Sequence, residues 1–372
     1  MIYFDNSATT KPCRAAVQAA ARAMEDVFGN PSSSHGAGIA ARAELKAARE
    51  EVASSLHVTP DEIYFTSGGT MSDNIAVFGG AKKGVGNHAV TTKIEHEAVL
   101  LCFEELEKRG FDVTYLTPES DGNISLSQIE KALTPETSLV SIMTVNNETG
   151  AMLPVDGVKA LINRICPRAL FHTDAVQAFG KTELYLDKWG VDLLSVSGHK
   201  VHAPKGVGAL YIRRGVSLLP HIFGGGQEKN IHSGTENLPG IMGLAAAVRE
   251  FDIPCKTVSE INAYMRRGIS KLDGAEINSP EDASPYVLNV SFGKIPSEVM
   301  LNSMAAEGIC ASAGSACAAN RSGESYVLRA MGRSPKSAIR FSFSRFNTLE
   351  EAEKTMDFLN KTVPLLTEIA GR

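Results

Sequence analysis

The chain has 372 residues, 43% of them apolar and 21% charged, an ordinary globular composition. That length buries a large core and, at ~150 residues per domain, suggests two or three domains. Thirty-seven basic residues against 42 acidic ones leave a net charge of −5, so there is no broad basic field for nucleic acid or an anionic membrane surface. No apolar run approaches the ~20 residues of a membrane span. The opening Met1-Ile2-Tyr3-Phe4-Asp5 has no basic n-region, so no secretory signal is expected. These features predict a cytoplasmic α/β enzyme.

Taken in order, residues 62–66 read as a strand, followed by Ser67-Gly68-Gly69-Thr70 and a helix through Asn74, Ile75, Val77 and Phe78. Strands are predicted at 88–92, 112–116, 138–145, 170–173, 193–196 and 208–212. Helices are predicted at 96–109, 125–132 and 158–166. Strands that alternate with helices imply a mainly parallel sheet with right-handed crossovers. Leu139-Val140-Ser141-Ile142-Met143 suits a strand buried on both faces. The texture changes after about Phe251. A helix at 258–272, a strand at 286–292, a helix at 297–306, a strand at 338–343 and a closing helix from Leu349 suggest a smaller α+β domain. Residues 316–323 are small, polar and glycine-containing, which marks them as the segment expected to move most.

The six cysteines are Cys13, Cys102, Cys166, Cys255, Cys310 and Cys317, with no CxxC pair among them. The spacing supports neither a zinc site nor a disulfide framework, so no metal is expected. Most should be buried thiols, Cys102 and Cys310 among them.

Five loops that follow strands each carry a polar group suited to a phosphate-bearing aromatic aldehyde. Ser195-Val196-Ser197-Gly198-His199-Lys200 puts a lysine at a strand end, where α/β sheets place ligands. The strand before it delivers Asp174, with Gln177 one turn later. A lysine Schiff base plus an acid for a pyridinium nitrogen is the minimal equipment for pyridoxal phosphate. Asp174 could instead be a helix N-cap, and Lys200 taken alone could be an exposed loop residue. Ser67-Gly68-Gly69-Thr70 offers backbone amides and a hydroxyl for a phosphate at a helix start. His96, between Glu95 and Glu97, suits stacking on a flat ring as well as a plain helix start. Asn146-Asn147-Glu148-Thr149-Gly150 is either a site loop or a simple Asn-rich turn.

These stretches, with Tyr3-Phe4-Asp5-Asn6-Ser7-Ala8-Thr9-Thr10, Phe28-Gly29-Asn30-Pro31-Ser32-Ser33, Gly224-Gly225-Gly226-Gln227-Glu228, Ser233-Gly234-Thr235, Gly314-Ser315-Ala316-Cys317 and Ile339-Arg340-Phe341-Ser342, resemble the cysteine desulfurases of the NifS/IscS type nearly end to end. Those enzymes are class V aminotransferase relatives and fold-type I pyridoxal-phosphate proteins. The resemblance implies a mainly parallel seven-stranded sheet in a large domain (residues 15–252). A smaller α+β domain (1–14 and 253–372) would carry the catalytic cysteine loop.

It also implies roles. Lys200 would hold the cofactor aldehyde and move the Cα proton. Asp174 would keep the pyridine nitrogen protonated, Gln177 would hydrogen-bond the ring hydroxyl, and His96 would stack on the ring. Gly69, Thr70, Ser197 and His199 would bind the phosphate. Thr235 would reach the phosphate of a neighbouring subunit, which implies a homodimer. Arg340 would clamp the substrate carboxylate and Asn147 would lie near substrate and cofactor. Cys317, among small neighbours and near Arg321, would accept sulfur as a persulfide. The implied reaction converts L-cysteine to L-alanine and passes the sulfur to an iron–sulfur scaffold or a thiolation protein.

The chain departs from the family's pattern at Met71, where Glu is usual, and at His232, where Arg is usual. Gly323-Glu324-Ser325 replaces a Glu-Pro-Ser, and the sequence stops at Arg372 without the tail that docks a scaffold. The alternative expectation is a selenocysteine lyase or related cysteine/cystine lyase of the same fold.

Overall fold

The computed structural model describes residues 1–314 and 324–370. The N-terminus forms a short strand β1 (Ile2–Tyr3) and two helices, α1 (Arg14–Glu25) and α2 (Gly36–Ser55). Then β2 (Ile63–Thr66), α3 (Gly69–Gly80), β3 (His88–Thr92), α4 (Glu97–Lys108), β4 (Asp112–Leu116), α5 (Leu126–Ala132), β5 (Thr137–Ser141), α6 (Val158–Ile165), β6 (Leu170–Asp174), α7 (Leu186–Trp189), β7 (Leu193–Ser197) and β8 (Gly208–Ile212) alternate as expected. The C-terminal part contains α8 (Leu238–Val248), α9 (Lys256–Ile269), β9 (Ala275–Ile277), β10 (Val287–Phe292), α10 (Ser297–Ala306), β11 (Ile309–Cys310), α11 (Tyr326–Ala330), β12 (Ala338–Ser342) and α12 (Leu349–Ala370).

The main sheet has seven strands in the order β2-β8-β7-β6-β5-β3-β4. Only β8 runs antiparallel to its neighbours. Strands β3, β5, β7 and β8 are buried along their whole length and β6 along all but its first residue, which explains their apolar runs. The sheet therefore presents the carboxyl ends of six parallel strands along one edge, where such sheets bind ligands.

Strand β5 stops at Ser141, short of the expected 145. The cause is a side-chain-capped turn. Asn146 Oδ1 accepts from the amides of Glu148 (3.0 Å) and Thr149 (2.9 Å). The chain folds back so that Val145 bridges Met152. Helices α2 and α8 carry no clear period in the sequence, whereas α1 does, its polar Arg14, Gln18 and Arg22 standing four residues apart. Helix α8 is apolar and almost entirely buried, so it has no polar face to set a rhythm, while α2 is rich in alanine.

Two large cores form. One joins α1, α2, α8 and the main sheet through residues such as Ala16, Val52, Phe171 and Leu244, and also takes Val327, Leu328 and Met331 around α11. The other joins Phe4, Ile261, Leu288, Met300, Phe341 and Leu359 over the three-stranded antiparallel sheet β12-β10-β9. The N-terminal strand β1 pairs with β11, and the Ser342 amide donates to the Phe4 carbonyl at 2.7 Å. Residues 5–10 are thus led from the second core across to the edge of the main sheet.

Cys13, Cys102, Cys166 and Cys255 are buried thiols. Cys310, expected in the core, is only half-buried, because it lies on the two-stranded pair β1-β11 rather than inside either sheet.

Candidate active site

The carboxyl ends of β2, β3, β5, β6 and β7 surround a cavity of about 450 Å³. Gly69 and Thr70 open α3, His96 follows β3, Asn147 follows β5, Asp174 ends β6, and Ser197, His199 and Lys200 follow β7; all line this cavity, as do Gln177 and Arg340. Ten positions singled out in the sequence are therefore one lining. Thr235 is exposed and lies outside it. Cys317 and Arg321 fall outside the described residues.

The lysine sits on a short 3-10 turn, Gly198–Lys200, directly after β7. Its Nζ donates to the carbonyls of Ser7 and Ala8 at 2.5 and 2.8 Å. Thr10 donates from its amide to the His199 carbonyl at 2.8 Å, so the N-terminal segment and the lysine turn are one hydrogen-bonded unit. His199 Nδ1 lies 3.1 Å from Thr9 Oγ1.

Glycine is required at the start of α3. Gly68 has φ +145°, in the region that disfavours side chains. A Cβ on Gly69 would stand 2.9 Å from Val176 Cγ2 and 3.4 Å from Ser197 Cβ. The helix start thus lies hard against the β6 and β7 loops, with amides bare beside the Thr70 and Ser197 hydroxyls. This is an anion cradle in composition and packing.

Asp174 caps a local turn, its Oδ1 accepting from the Val176 amide at 2.8 Å, and still faces the cavity. Burial raises its pKa to about 6, against the pull of that amide and of the Lys200 charge. His96 likewise does two things at once. It caps α4, Nδ1 accepting from the Ala98 amide at 3.1 Å, and burial with the Lys200 charge draws its pKa down to about 4. It is a neutral, flat ring at neutral pH. Burial and Lys200 do the same to His199, also to about 4.

Arg340 is 1% exposed. Nη1 donates to the Asn147 carbonyl and Nη2 to Asp5 Oδ1, both at 3.0 Å. Its Nε, the Asn147 Oδ1 and the Ser7 Oγ are buried around the cavity without a hydrogen-bond partner. Unsatisfied polar atoms of this kind mark places where a ligand completes the bonding. A phosphate-bearing, pyridine-type aldehyde fits this donor set: an anion cradle, an amine at a strand end, a buried acid, a neutral imidazole and a guanidinium.

Sequence reasoning gave no role to Asp5, Ser7, Asp73, Glu95, Lys181 or Lys205. Asp73, one turn into α3 from Gly69, lines the cavity, its Oδ1 3.7 Å from His172 Nε2. Burial, then the charge of Asp174, raises its pKa well above the usual carboxylate range. Glu95 is fully buried; Oε1 accepts from the Met143 amide at 2.8 Å and from Thr92 Oγ1 at 3.1 Å. Burial, followed by the Asp174 charge, raises it to about 8 in spite of the Met143 bond. The i to i+4 step from Gly69 to Asp73 and the neighbouring of Glu95 and His96 were the signals available for these two. Met71 and the exposed Lys205 also line the cavity.

The class-V aminotransferase family matches residues 2–355. A cysteine desulfurase of Nostoc sp. is 39% identical over 100% of this chain and 94% of its own length. A cysteine desulfurase IscS of Anaeromyxobacter sp. is 41% identical over 99% of this chain and 94% of its own. Among solved structures, a NifS-like protein superposes with TM-score 0.89 at 38% identity, covering 98% of this chain and 99% of that one. SspA in complex with cysteine superposes with TM-score 0.84 at 36% identity, covering 94% of this chain and 100% of that one. On the family match and these full-length relatives, the chain belongs to the class-V aminotransferase family, in its cysteine desulfurase branch.

Proposed function

We propose that this chain is a pyridoxal-phosphate-dependent desulfurase that takes sulfur from L-cysteine onto Cys317 and releases L-alanine. The observation that carries the reading is the convergence of Lys200, Asp174, His96, Gln177 and Arg340 on one cavity beside a glycine-built anion cradle. The cofactor would be held by Lys200 at its aldehyde, by Asp174 at its ring nitrogen, by His96 against its face, and by Gly69, Thr70, Ser197 and His199 at its phosphate. Bound there, it would draw electrons from the substrate's Cα.

Lys200 Nζ accepts and returns the Cα proton, and the Ser7 and Ala8 carbonyls steady it. Arg340 takes the substrate carboxylate, which competes for the guanidinium with Asp5. Cys317 as a thiolate forms a bond to the substrate sulfur while the Cβ–S bond breaks. The electron pair of that bond ends, with a proton, as a C–H bond of alanine's methyl group. The chain enters residues 315–323 from Gly314, two residues past Ser312, whose backbone pairs with Arg340. It leaves them at Glu324, one residue before Ser325, which donates from its hydroxyl to Glu148. Both flanks adjoin the Asn147–Arg340 wall of the cavity, which supports Cys317 as acceptor.

The same reading includes a homodimer in which Thr235 serves the partner's phosphate, and a protein acceptor for the sulfur, either an iron–sulfur scaffold or a thiolation protein. It includes a large domain of residues 15–252 and a small one of 1–14 and 253–372, supported by the two cores. It places the enzyme in the cytoplasm; among the described residues no helix is long and apolar enough to cross a membrane.

The test is Cys317→Ala. The variant keeps its yellow colour and still binds L-cysteine, judged by the spectral change on adding it, but releases no sulfide. Cys310→Ala stays active. Sulfide release near the parent rate from Cys317→Ala rules Cys317 out as the acceptor. Selenide from selenocysteine with no sulfide from cysteine, in the parent, overturns the substrate assignment.

A further inference from the structure

Lys181 is 8% exposed, yet among the described residues it has no carboxylate partner. Such a buried ammonium is rare unless it has a specific use. Its Nζ donates to Gln177 Oε1 at 2.7 Å. Gln177 Nε2 donates in turn to the Ser7 carbonyl at 3.0 Å. Gln177 and Ser7 line the main cavity. Lys181 stands behind them and lines, with Lys200 and Tyr286, a small adjoining void. The Tyr286 ring centroid is 5.8 Å from its Nζ.

A glutamine amide has two chemically opposite ends, and nothing in its shape chooses between them. Its two fixed partners choose together: an ammonium only donates, so Oε1 faces it, and the Ser7 carbonyl only accepts, so Nε2 faces that. One Nε2 proton is then used on Ser7 and the other remains for the cavity. We propose that Lys181 is a positioning residue that locks the Gln177 amide so that it presents an N–H, never a carbonyl, to the aromatic ring oxygen of the bound cofactor. This rests on the cofactor reading above. The lock favours a deprotonated ring oxygen, since a donor stabilises the anion and an acceptor stabilises the hydroxyl. The groups facing Lys181 are Gln177, Tyr286 and the cations Lys200 and Arg340, and the void it lines also holds His202, Asp252 and Arg345. Burial and then the Lys200 and Arg340 charges draw its pKa down to about 7. Unprotonated, the amine still has N–H bonds to offer Oε1.

The experiment is a pH titration of the visible absorbance of the pyridoxal-phosphate-loaded protein. It compares the parent, Lys181→Met, Gln177→Ala, the double variant and Lys181→Arg. Lys181→Met, which removes one of the amide's two anchors, raises the midpoint of the visible transition by about one pH unit. Lys181→Arg, still a pure donor, keeps the parent midpoint. The double variant titrates like Gln177→Ala alone, because Lys181 acts through that amide. An unshifted midpoint in Lys181→Met overturns the inference. So does an equal shift with and without Gln177, which assigns the effect to the lysine's charge. Should Lys181→Met fail to accumulate, Lys181→Gln, which both donates and accepts, takes its place with the same expected direction. A parent with no visible band at saturating cofactor overturns the cofactor reading and this inference together. A parent band that does not respond to either lysine variant overturns only the inference.

Discussion

Glu95 shows how a buried acid shapes a neighbouring ring without touching the cavity. Its Oε1 ties the loop after β3 to the Met143 amide beyond β5, and the next residue is His96. Its folded pKa of about 8 lies above the ordinary 4.5, so the folded state binds the extra proton between those values. The stability that goes with that proton is fully present below about pH 4.5 and is lost as the pH rises through 8. Glu95→Gln keeps an oxygen for Met143 and does not titrate. It should therefore gain on the parent as pH rises across this window, by on the order of 5 kcal/mol at most. Thermal unfolding of both proteins from pH 4.5 to 8.5 measures this, and a gap that does not change with pH contradicts the buried, protonated carboxyl. Glu95 also shows what the sequence hid. Beside His96 and Glu97 it reads as one more surface charge at a helix start, and only the β3–β5 pairing makes it a buried one. Lys181, in a Gly-Lys-Thr stretch that looks exposed, was hidden in the same way. Asp5 and Arg340, 335 residues apart, meet only through the β1-β11 and β12 pairings. Lys200 and Asp174 were legible because each follows an apolar strand directly.

Among the elements, α3 carries the sharpest packing constraint. Its first residues touch the loops after β6 and β7, so Gly69→Ala must push Val176 or Ser197 aside, at a cost of about 1–3 kcal/mol. The hydroxyls and amides of the cradle spread with it. The expected result is a pyridoxal phosphate dissociation constant raised about tenfold, measured by absorbance titration of the cofactor-free protein. Gly84→Ala, where a Cβ meets nothing within 4 Å, is the control and leaves affinity unchanged. Equal affinities for the two variants contradict the cradle. The strand–helix alternation that builds this edge was readable, since parallel strands buried on both faces are contiguous apolar runs. One helix packed on it was less so: α8 is apolar all round and shows no stripe from which helices are recognised. The early end of β5 was masked by Ile142 and Met143, which stay buried after the ladder ends.

At the scale of the molecule, the exposed Thr235 bears on assembly. If it completes a partner's site, two dead chains repair each other. Lys200→Ala and Thr235→Glu homodimers should both be inactive. In a hybrid, one site holds both lesions and the other holds neither. Equal mixing with exchange makes half the dimers hybrids, each with one intact site, so about a quarter of the parent activity returns. Sulfide assay before and after exchange reads this. Hybrids that stay inactive while Thr235→Glu retains its cofactor contradict the cross-subunit role.

Strand β8 has one more consequence. It lies between β2 and β7, with Gly208 so close to Gly68 that a Cβ there would stand 2.8 Å from the Gly68 Cα. The strands that lead into the start of α3 and into the lysine turn, β2 and β7, are therefore two interstrand steps apart, roughly 9.6 Å, and the start of α3 spans that gap to lie against Ser197. No side chain sets that interval. The sheet itself is a spacer: it fixes how far apart these two strand ends stand, and substitutions around the cavity can retune its chemistry while leaving that spacing unmoved.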